Sequence, residues 1–169
     1  MNKERDNVIL IGMPASGKST VGVILAKILG LDFVDTDIVI QQREGARLQE
    51  IIESRGIDGF LQCEEAAVLG LAVSNTVVAT GGSVVYSDAA MKHLAAGGSV
   101  VYLKVGFEDL KKRLKDIKER GVVLRPDESI ETMYKTRTAL YEKYADLTVA
   151  EEGSSIEDTV QAVMKGLRE

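Results

Sequence analysis

Cysteine and histidine are nearly absent from this sequence of 169 residues. Because Cys63 is the only cysteine, no disulfide can form within the chain, as is usual for proteins of a reducing compartment. We expect Cys63 to be a small, buried apolar side chain. His93 is the only histidine, and the sequence around it shows neither a catalytic triad nor a metal-binding cluster. We therefore expect His93 to be an ordinary helix residue.

Long hydrophobic runs and dense basic blocks are also missing. The apolar run at residues 8–11 is far too short for a signal-peptide core or a membrane span. The formal net charge is -5, and the most basic stretch, residues 111–120, is interleaved with Asp116 and Glu119. Such a stretch is typical of a solvated helix face and not of a nucleic-acid surface. We therefore expect a cytoplasmic protein that binds neither nucleic acid nor membranes.

What the chain does contain is an alternation of apolar, β-rich runs and segments with helical spacing. Its length fits one domain over residues 1–169, and the alternation implies a parallel sheet covered on both faces, with ligands at the carboxyl ends of the strands. The pattern predicts strands over residues 7–12, 31–35, 76–80, 99–103 and 146–149. It predicts helices over residues 17–29, 38–71 with breaks near Gly45 and between Gly56 and Gly59, 87–95, 107–117, 129–144 and from Ser155 onward.

A phosphate-binding loop follows the first predicted strand. Residues 12–19, GMPASGKS, match the pattern G-x-x-x-x-G-K-[ST] in full, between a strand and a helix. The glycines let backbone N–H groups turn around phosphate oxygens, and the helix directs its positive end at the same anion. We expect Lys18 to neutralise the β- and γ-phosphates of ATP and Ser19 to ligate Mg²⁺. The predicted nucleotide-binding residues of the loop are Gly12, Pro14, Ala15, Ser16, Gly17, Lys18, Ser19 and Thr20.

Two carboxylates follow the second predicted strand. Asp35 and Asp37 are two residues apart at a strand end and project to the same side, where like charges need a counterion or a bound partner. The chain lacks the N-K-x-D element of GTPases and the aliphatic run ending in Asp-Glu of motor and transporter ATPases. Because Lys18, Ser19 and both aspartates are present, a protein that binds nucleotide without catalysis is disfavoured.

Together with four later segments, these elements resemble the shikimate kinase family over roughly residues 8–149. After the phosphate loop, the family pattern runs D-x-D, G-E-x-x-F-R-x-x-E, A-T-G-G-G, a lid opening with R-P, and R-x-P-L-Y followed by A-D. This chain has DTD at residues 35–37, GIDGFLQCE at 56–64, ATGGS at 79–83, RTALY at 137–141 and AD at 145–146. The resemblance implies a three-layer α/β P-loop fold of the nucleoside-monophosphate-kinase type, with a five-stranded parallel sheet in the order 2-3-1-4-5. It also implies ATP and Mg²⁺ as cofactors and phosphoryl transfer to the 3-hydroxyl of shikimate.

The resemblance assigns roles to residues at matching positions. Asp35 would help hold Mg²⁺ through water, and Asp37 would bind the acceptor hydroxyl and take its proton. Gly81 and Gly82 would offer backbone contacts to the substrate. Arg137 would grip the substrate carboxylate, a planar pairing for which arginine is well suited.

The resemblance also implies a lid over residues 118–128. Arg120 would close over the phosphates there and stabilise charge in the transition state. Arg113 would stack on the adenine. Because closure of such a lid is self-contained, we expect a monomer.

The match to the family pattern is incomplete on the acceptor side. The departures are Ile57 for glutamate, Leu61 for arginine, Ser83 for the third glycine, Ala139 for proline and Gly121 for the lid proline, with Arg125-Pro126 five residues later as a substitute. Loss of the arginine at position 61 removes a second grip on the carboxylate, worth roughly 1.5–3 kcal/mol or about ten- to a hundredfold in affinity. Two interpretations follow. The chain phosphorylates shikimate, with Arg137 and a second group such as Arg55 or Arg47 as its grip, or it phosphorylates another small hydroxylated metabolite such as homoserine or a sugar acid.

Overall fold

The structure, a computed structural model, describes residues 6–115, 122–151 and 153–169. Five parallel strands form one sheet in the order β2-β3-β1-β4-β5, which confirms the predicted fold class. The strands are β1 (Asn7–Ile11), β2 (Asp32–Asp35), β3 (Thr76–Ala79), β4 (Gly98–Lys104) and β5 (Leu147–Ala150). In the centre of the sheet, Ile9 is in register with Val78 of β3 and Val100 of β4.

The described residues form seven α-helices and a single 3-10 turn at Val84–Tyr86. The helices are α1 (Lys18–Leu29), α2 (Thr36–Glu44), α3 (Leu48–Leu69), α4 (Asp88–Gly97), α5 (Phe107–Leu114), α6 (Ile130–Tyr144) and α7 (Ile156–Gly166). Glycines at Gly30 and Gly45 end α1 and α2 in the left-handed conformation that closes many helices. At its start, α2 is capped by the Asp35 carboxylate, which accepts a hydrogen bond from the Asp37 N–H.

One helix prediction needs correction, and a second is tested only in part. The predicted break between Gly56 and Gly59 is right only for Gly56, whose φ of 72° and ψ of 177° interrupt α3. Gly59 remains helical. A Cβ there would lie 2.7 Å from the Cβ of Arg55, so the close packing leaves no room for a side chain at this position. The helix predicted over 107–117 is described as far as Leu114, and residues 116–117 lie outside the described part of the chain.

The sheet is covered on both faces because successive strand side chains point to opposite sides. Ile9 and Ile11 of β1 belong to a core with residues of α3, α4 and α6. Val8 and Leu10 belong to a second core with residues of α1 and α7. Helices on both faces of the sheet give the three-layer arrangement. Among the described helices, none has the length and apolar character needed to cross a membrane.

A third, smaller core lies beside the sheet and shapes the site. It joins Ile40 of α2, Ile51 and Phe60 of α3, and Val123. Residues 122–128 of the predicted lid are described, whereas 118–121 lie outside the described ranges. The division into one domain with a lid over 118–128 stays a prediction.

Candidate active site

The phosphate loop joins β1 to α1 through backbone conformations that require glycine. Gly12 has a φ of 151°, and a Cβ there would lie 2.6 Å from the carbonyl oxygen of Leu103. Gly17 has a φ of 80° directly before α1. Because of these two glycines, the loop turns sharply from the central strand into the helix, and the N-terminus of α1 faces a cavity of about 280 Å³.

Lys18 is held inside this loop. Its Nζ donates to the carbonyl oxygens of Gly12 at 2.8 Å and Met13 at 2.7 Å, and to Ser16 Oγ at 3.2 Å. Burial lowers the pKa of Lys18 from its usual value to about 8, although nearby carboxylates, with Asp37 the largest contributor, act in the opposite direction. The loop therefore holds a cation in a place where an incoming phosphate would compensate its desolvation.

Ser19, which lines the cavity, and Asp35 at the end of β2 bring two side-chain oxygens together. Ser19 Oγ donates to Asp35 Oδ2 at 2.6 Å, so α1 and the end of β2 bring a hydroxyl and a carboxylate together. Mg²⁺ prefers such hard oxygen ligands and usually binds through one or two carboxylates together with substrate phosphates. The pair fits a Mg²⁺ ion bound with the nucleotide, and the described residues contain no group of three or more His, Cys, Asp or Glu that would make a separate metal centre.

Asp37 faces the cavity from the first turn of α2. A Cβ at Gly81 would lie 2.8 Å from Asp37 Oδ1, so a side chain at Gly81 would fill the space beside this carboxylate. Burial, and secondly the negative charge of Asp35, raise the pKa of Asp37 to about 6. A carboxyl with a pKa closer to neutrality is a better proton acceptor than an ordinary aspartate.

The other end of the cavity is formed by Arg137 of α6. Arg137 is 1% exposed, and its Nε donates to Tyr86 Oη at 3.2 Å while Nη2 donates to the carbonyl oxygen of Val123. The Tyr86 ring packs against its guanidinium, with 5.2 Å between the ring centroid and Cζ. One cavity thus collects the phosphate-loop lysine, the acidic Asp37 and a buried arginine.

The loop after β3 lies between these groups. Gly81 N–H donates to Thr36 Oγ1 at 3.2 Å. A Cβ at Gly82 would lie 2.8 Å from Cδ of Pro14, so Gly82 brings this loop against the phosphate loop. Tyr141 Oη donates to the Gly82 carbonyl oxygen at 2.5 Å. Tyr141 is fully buried, and besides packing in the core it fixes the backbone of the cavity wall through its hydroxyl.

The remaining predicted arginines occupy different surroundings. Arg113 Nη1 donates to the carbonyl oxygen of Ala15 at 3.0 Å and to Glu151 Oε2 at 3.2 Å, so Arg113 lies against the phosphate loop. Arg125 pairs with Asp58 at 2.9 Å. Arg120 lies outside the described residues.

The two arginines considered as substitutes for a residue at position 61 do not reach the cavity. Arg55 pairs with Glu44 at 2.7 Å and donates to Cys63 Sγ at 3.0 Å. Arg47 is the residue before α3, and neither arginine lines the cavity. Cys63 is 8% exposed, which confirms its predicted burial.

Glu64 was not among the predicted site residues, although it lines the cavity. Glu64 is 2% exposed and accepts a hydrogen bond from Ser83 Oγ at 2.7 Å. Its position at the end of the segment GIDGFLQCE was the one available sequence signal. Its burial against the loop after β3 depends on a contact between residues 19 positions apart.

Comparison with known proteins agrees with this geometry. The family model described as shikimate kinase matches residues 14–168. The chain belongs to the shikimate kinase family. The shikimate kinase of Pasteurella multocida is 38% identical over 150 residues, which cover 86% of each chain.

Two solved structures from the family have the same fold. Shikimate kinase from Aquifex aeolicus superposes with a TM-score of 0.84 at 33% identity, over 96% of each chain. Shikimate kinase from Acinetobacter baumannii, solved in complex with shikimate, gives 0.86 at 29% identity, over 97% of this chain and 93% of that one. The predicted enzyme class, an ATP-dependent small-molecule kinase that uses Mg²⁺, is confirmed by membership of the family.

We expect the Tyr141→Phe variant to lose about 1–3 kcal/mol of unfolding free energy, because the partly buried carbonyl of Gly82 loses the hydroxyl that donates to it. The KM for the phosphoryl acceptor should rise as well, since Gly82 lines the cavity. Urea denaturation and steady-state kinetics measure the two effects. Tyr134→Phe is the matched control, because Tyr134 on the same helix donates to the Val105 carbonyl oxygen at 2.9 Å away from the cavity. An equal rise in KM in both variants would contradict a local role for Tyr141.

Proposed function

We propose that this protein transfers the γ-phosphoryl group of ATP to the 3-hydroxyl of shikimate, producing ADP and shikimate 3-phosphate. The observation that carries the proposal is the single cavity in which Lys18, Asp37 and Arg137 meet. Lys18 would bind the phosphates of the donor, Asp37 would bind the reacting hydroxyl, and Arg137 would bind the carboxylate of the acceptor. The related Acinetobacter baumannii structure, which contains shikimate, supports the same choice of acceptor.

ATP would bind with its β- and γ-phosphates in the loop over residues 12–19. Backbone N–H groups and the N-terminus of α1 would bind the phosphate oxygens, and Lys18 would exchange its loop carbonyl contacts for them. Ser19 and Asp35 would hold Mg²⁺, which neutralises phosphate charge when bound. Arg113 lies against the loop through Ala15, which agrees with a place beside the nucleotide.

In the reaction itself, the acceptor hydroxyl oxygen attacks the γ-phosphorus while the bond to the bridging oxygen of ADP breaks. The proton of the hydroxyl goes to Asp37, whose pKa of about 6 leaves it ionised at neutral pH and able to accept. Lys18 neutralises charge on the transferred group. Catalysis in this site is therefore mainly positioning and charge stabilisation, as phosphoryl transfer requires.

Arg137 would bind the carboxylate of shikimate. Its guanidinium is buried, and Tyr86 and Val123 fix its orientation, so little side-chain freedom is lost on binding. A closing lid over residues 118–128, with Arg120 over the phosphates, completes the proposal. We also propose a monomer located in the cytoplasm, where ATP is available.

A coupled assay of ADP release tests the function. We expect MgATP and shikimate together to release ADP at a rate that saturates with shikimate, and neither substrate alone to do so. Homoserine, gluconate and glycerate should give little turnover, because the relatives of this chain are shikimate kinases, one of them solved in complex with shikimate. Turnover of one of these compounds in place of shikimate would retain the kinase and overturn the acceptor.

A further inference from the structure

Ala15 of the phosphate loop has a backbone conformation that alanine rarely adopts. Its φ is 62°, in the left-handed region that favours glycine. Ala15 follows Pro14 in a turn closed by the Ser16 N–H, which donates to the Met13 carbonyl oxygen at 3.1 Å. Proline followed by a residue of positive φ is typical of a turn that usually carries glycine at that second place. An alanine keeps this conformation only where its surroundings hold it.

The same turn forms part of the phosphate site. The Met13 carbonyl oxygen that closes the turn also accepts from Lys18 Nζ at 2.7 Å. Pro14 and Ala15 both line the cavity. The loop N–H groups that would bind phosphate oxygens point in directions set by the conformation of this turn. Whatever holds Ala15 therefore also keeps the nucleotide site ready for its ligand.

A contact from outside the loop holds Ala15. Arg113 of α5, 98 positions later in the chain, donates from Nη1 to the Ala15 carbonyl oxygen at 3.0 Å. The same nitrogen donates to Glu151 Oε2 at 3.2 Å. Glu151 directly follows β5, so the end of this edge strand supports the phosphate loop through Arg113. Neither Arg113 nor Glu151 is among the described residues that line the cavity.

Glu151 is held firmly enough to orient Arg113. Its side chain is 7% exposed, whereas that of Arg113 is 39% exposed. The Glu151 N–H donates to the Lys104 carbonyl oxygen at 2.9 Å, and the Glu151 carbonyl oxygen accepts from the Ser154 N–H at 3.1 Å. Burial raises the pKa of Glu151, and the hydrogen bond and charge of Arg113 act in the opposite direction. Because a buried carboxylate is costly without a paired cation, Glu151 keeps the guanidinium beside it.

We propose that Glu151 is a positioning residue of the nucleotide site. It holds Arg113 so that the guanidinium binds the Ala15 carbonyl oxygen and keeps the phosphate loop in the conformation that receives a polyphosphate. This contribution is independent of the acceptor. The inference rests on the proposed place of ATP in the loop over residues 12–19.

Glu151→Gln is expected to weaken the binding of MgATP about tenfold, because without its support the strained loop conformation is less populated. Isothermal titration calorimetry measures this Kd in the absence of acceptor. In steady-state kinetics the KM for ATP should rise by a similar factor. The kcat and the KM for shikimate should change less than about threefold, since the groups at the reacting atoms remain.

Glu142→Gln is the matched control for loss of an ion pair. Glu142 pairs with Lys104 at 3.0 Å and joins α6 to β4 instead of reaching the phosphate loop. Because such an exposed pair contributes little, the Kd for MgATP should stay within about twofold of wild type.

Three further comparisons separate positioning from general damage. In an Arg113→Met background, Glu151→Gln should cause little further loss, since Glu151 acts through Arg113. Ala15→Gly should reduce the loss caused by Glu151→Gln, because glycine adopts a positive φ without support. Inorganic tripolyphosphate, which lacks the base and the ribose, should be weakened by Glu151→Gln as much as ATP is, because the affected loop binds phosphates.

Three results would overturn the inference. The Kd for MgATP is within about twofold of wild type in Glu151→Gln, the loss is equal in the Arg113→Met and wild-type backgrounds, or tripolyphosphate binding is unchanged while ATP binding weakens. If Glu151→Gln does not fold, Arg113→Met replaces it, and Ala15→Gly should then reduce the loss that Arg113→Met causes. An equal loss with alanine and glycine at position 15 would contradict the support of the turn.

The calorimetric readout keeps this inference distinct from the proposed acceptor. Absence of shikimate-dependent ADP release by the wild-type enzyme would overturn the acceptor and leave the binding measurements intact. Absence of MgATP binding by the wild-type protein would overturn the proposed function and this inference together.

Discussion

Asp37→Asn is expected to lower kcat for shikimate phosphorylation by roughly 10²- to 10⁴-fold, the contribution typical of a positioned general base. The asparagine amide fills the same space beside Gly81 and still contacts the acceptor hydroxyl, but it cannot take the proton. The KM for ATP should change little, because the phosphate loop is untouched. Steady-state kinetics with the coupled ADP assay measure both parameters.

Stability distinguishes this loss from misfolding. Burial and the charge of Asp35 raise the pKa of Asp37 to about 6, so ionised Asp37 destabilises the folded state at neutral pH. The neutral asparagine removes that cost, and the thermal midpoint should therefore not fall. Asp32→Asn, an exposed change on the preceding strand β2, should leave kcat unaltered. A kcat for Asp37→Asn within about tenfold of wild type would refute its role as base.

Lys18→Met is expected to lower kcat/KM for ATP by at least about a hundredfold, as expected for loss of a group that stabilises developing charge. Lys18 is the buried cation of the phosphate loop, so a neutral side chain of similar length leaves the loop without a positive charge to neutralise the phosphates of ATP. Kinetics with varied ATP at saturating shikimate measure the loss.

Lys27→Met is the matched control for this substitution, because Lys27 is exposed in the last turn of the same helix. It should keep kcat/KM within about twofold of wild type, since surface changes away from a site have small effects. Circular dichroism should show that both variants are folded. If Lys18→Met phosphorylates shikimate nearly as well as Lys27→Met, the loop lysine has no part in transfer.

The phosphate loop is the part of the site that local sequence predicts best. Gly12 and Gly17 are required by backbone conformations within one short turn, and the flanking strand and helix are recognisable from their own periodicity. The hydrogen bonds that Lys18 donates to described residues all go to residues 12–16. A site formed by residues close together in sequence can be predicted from that sequence, because its geometry depends on few contacts with distant residues.

The helix between the second and third strands shows where local prediction weakens. Gly56 and Gly59 are both glycine, yet one interrupts α3 and the other stays helical. The difference lies in the surroundings, since Gly59 packs closely against Arg55 while Gly56 meets open space in a left-handed conformation. Glycine permits a break, and packing decides whether it occurs.

The sequence by itself determined a phosphate loop, an alternation of strands and helices, and two acidic residues at the end of β2. The tertiary structure decided which residues form the part of the cavity that would bind the acceptor. Arg137 comes from α6, Glu64 from α3, and Gly81 from the loop after β3, and the fold brings them to one cavity. Burial at that point raised the pKa of Asp37 and Glu64 and left one Glu64 oxygen without a hydrogen bond from any described residue. Such effects arise from the desolvation of groups distant in sequence, which only the folded chain brings together.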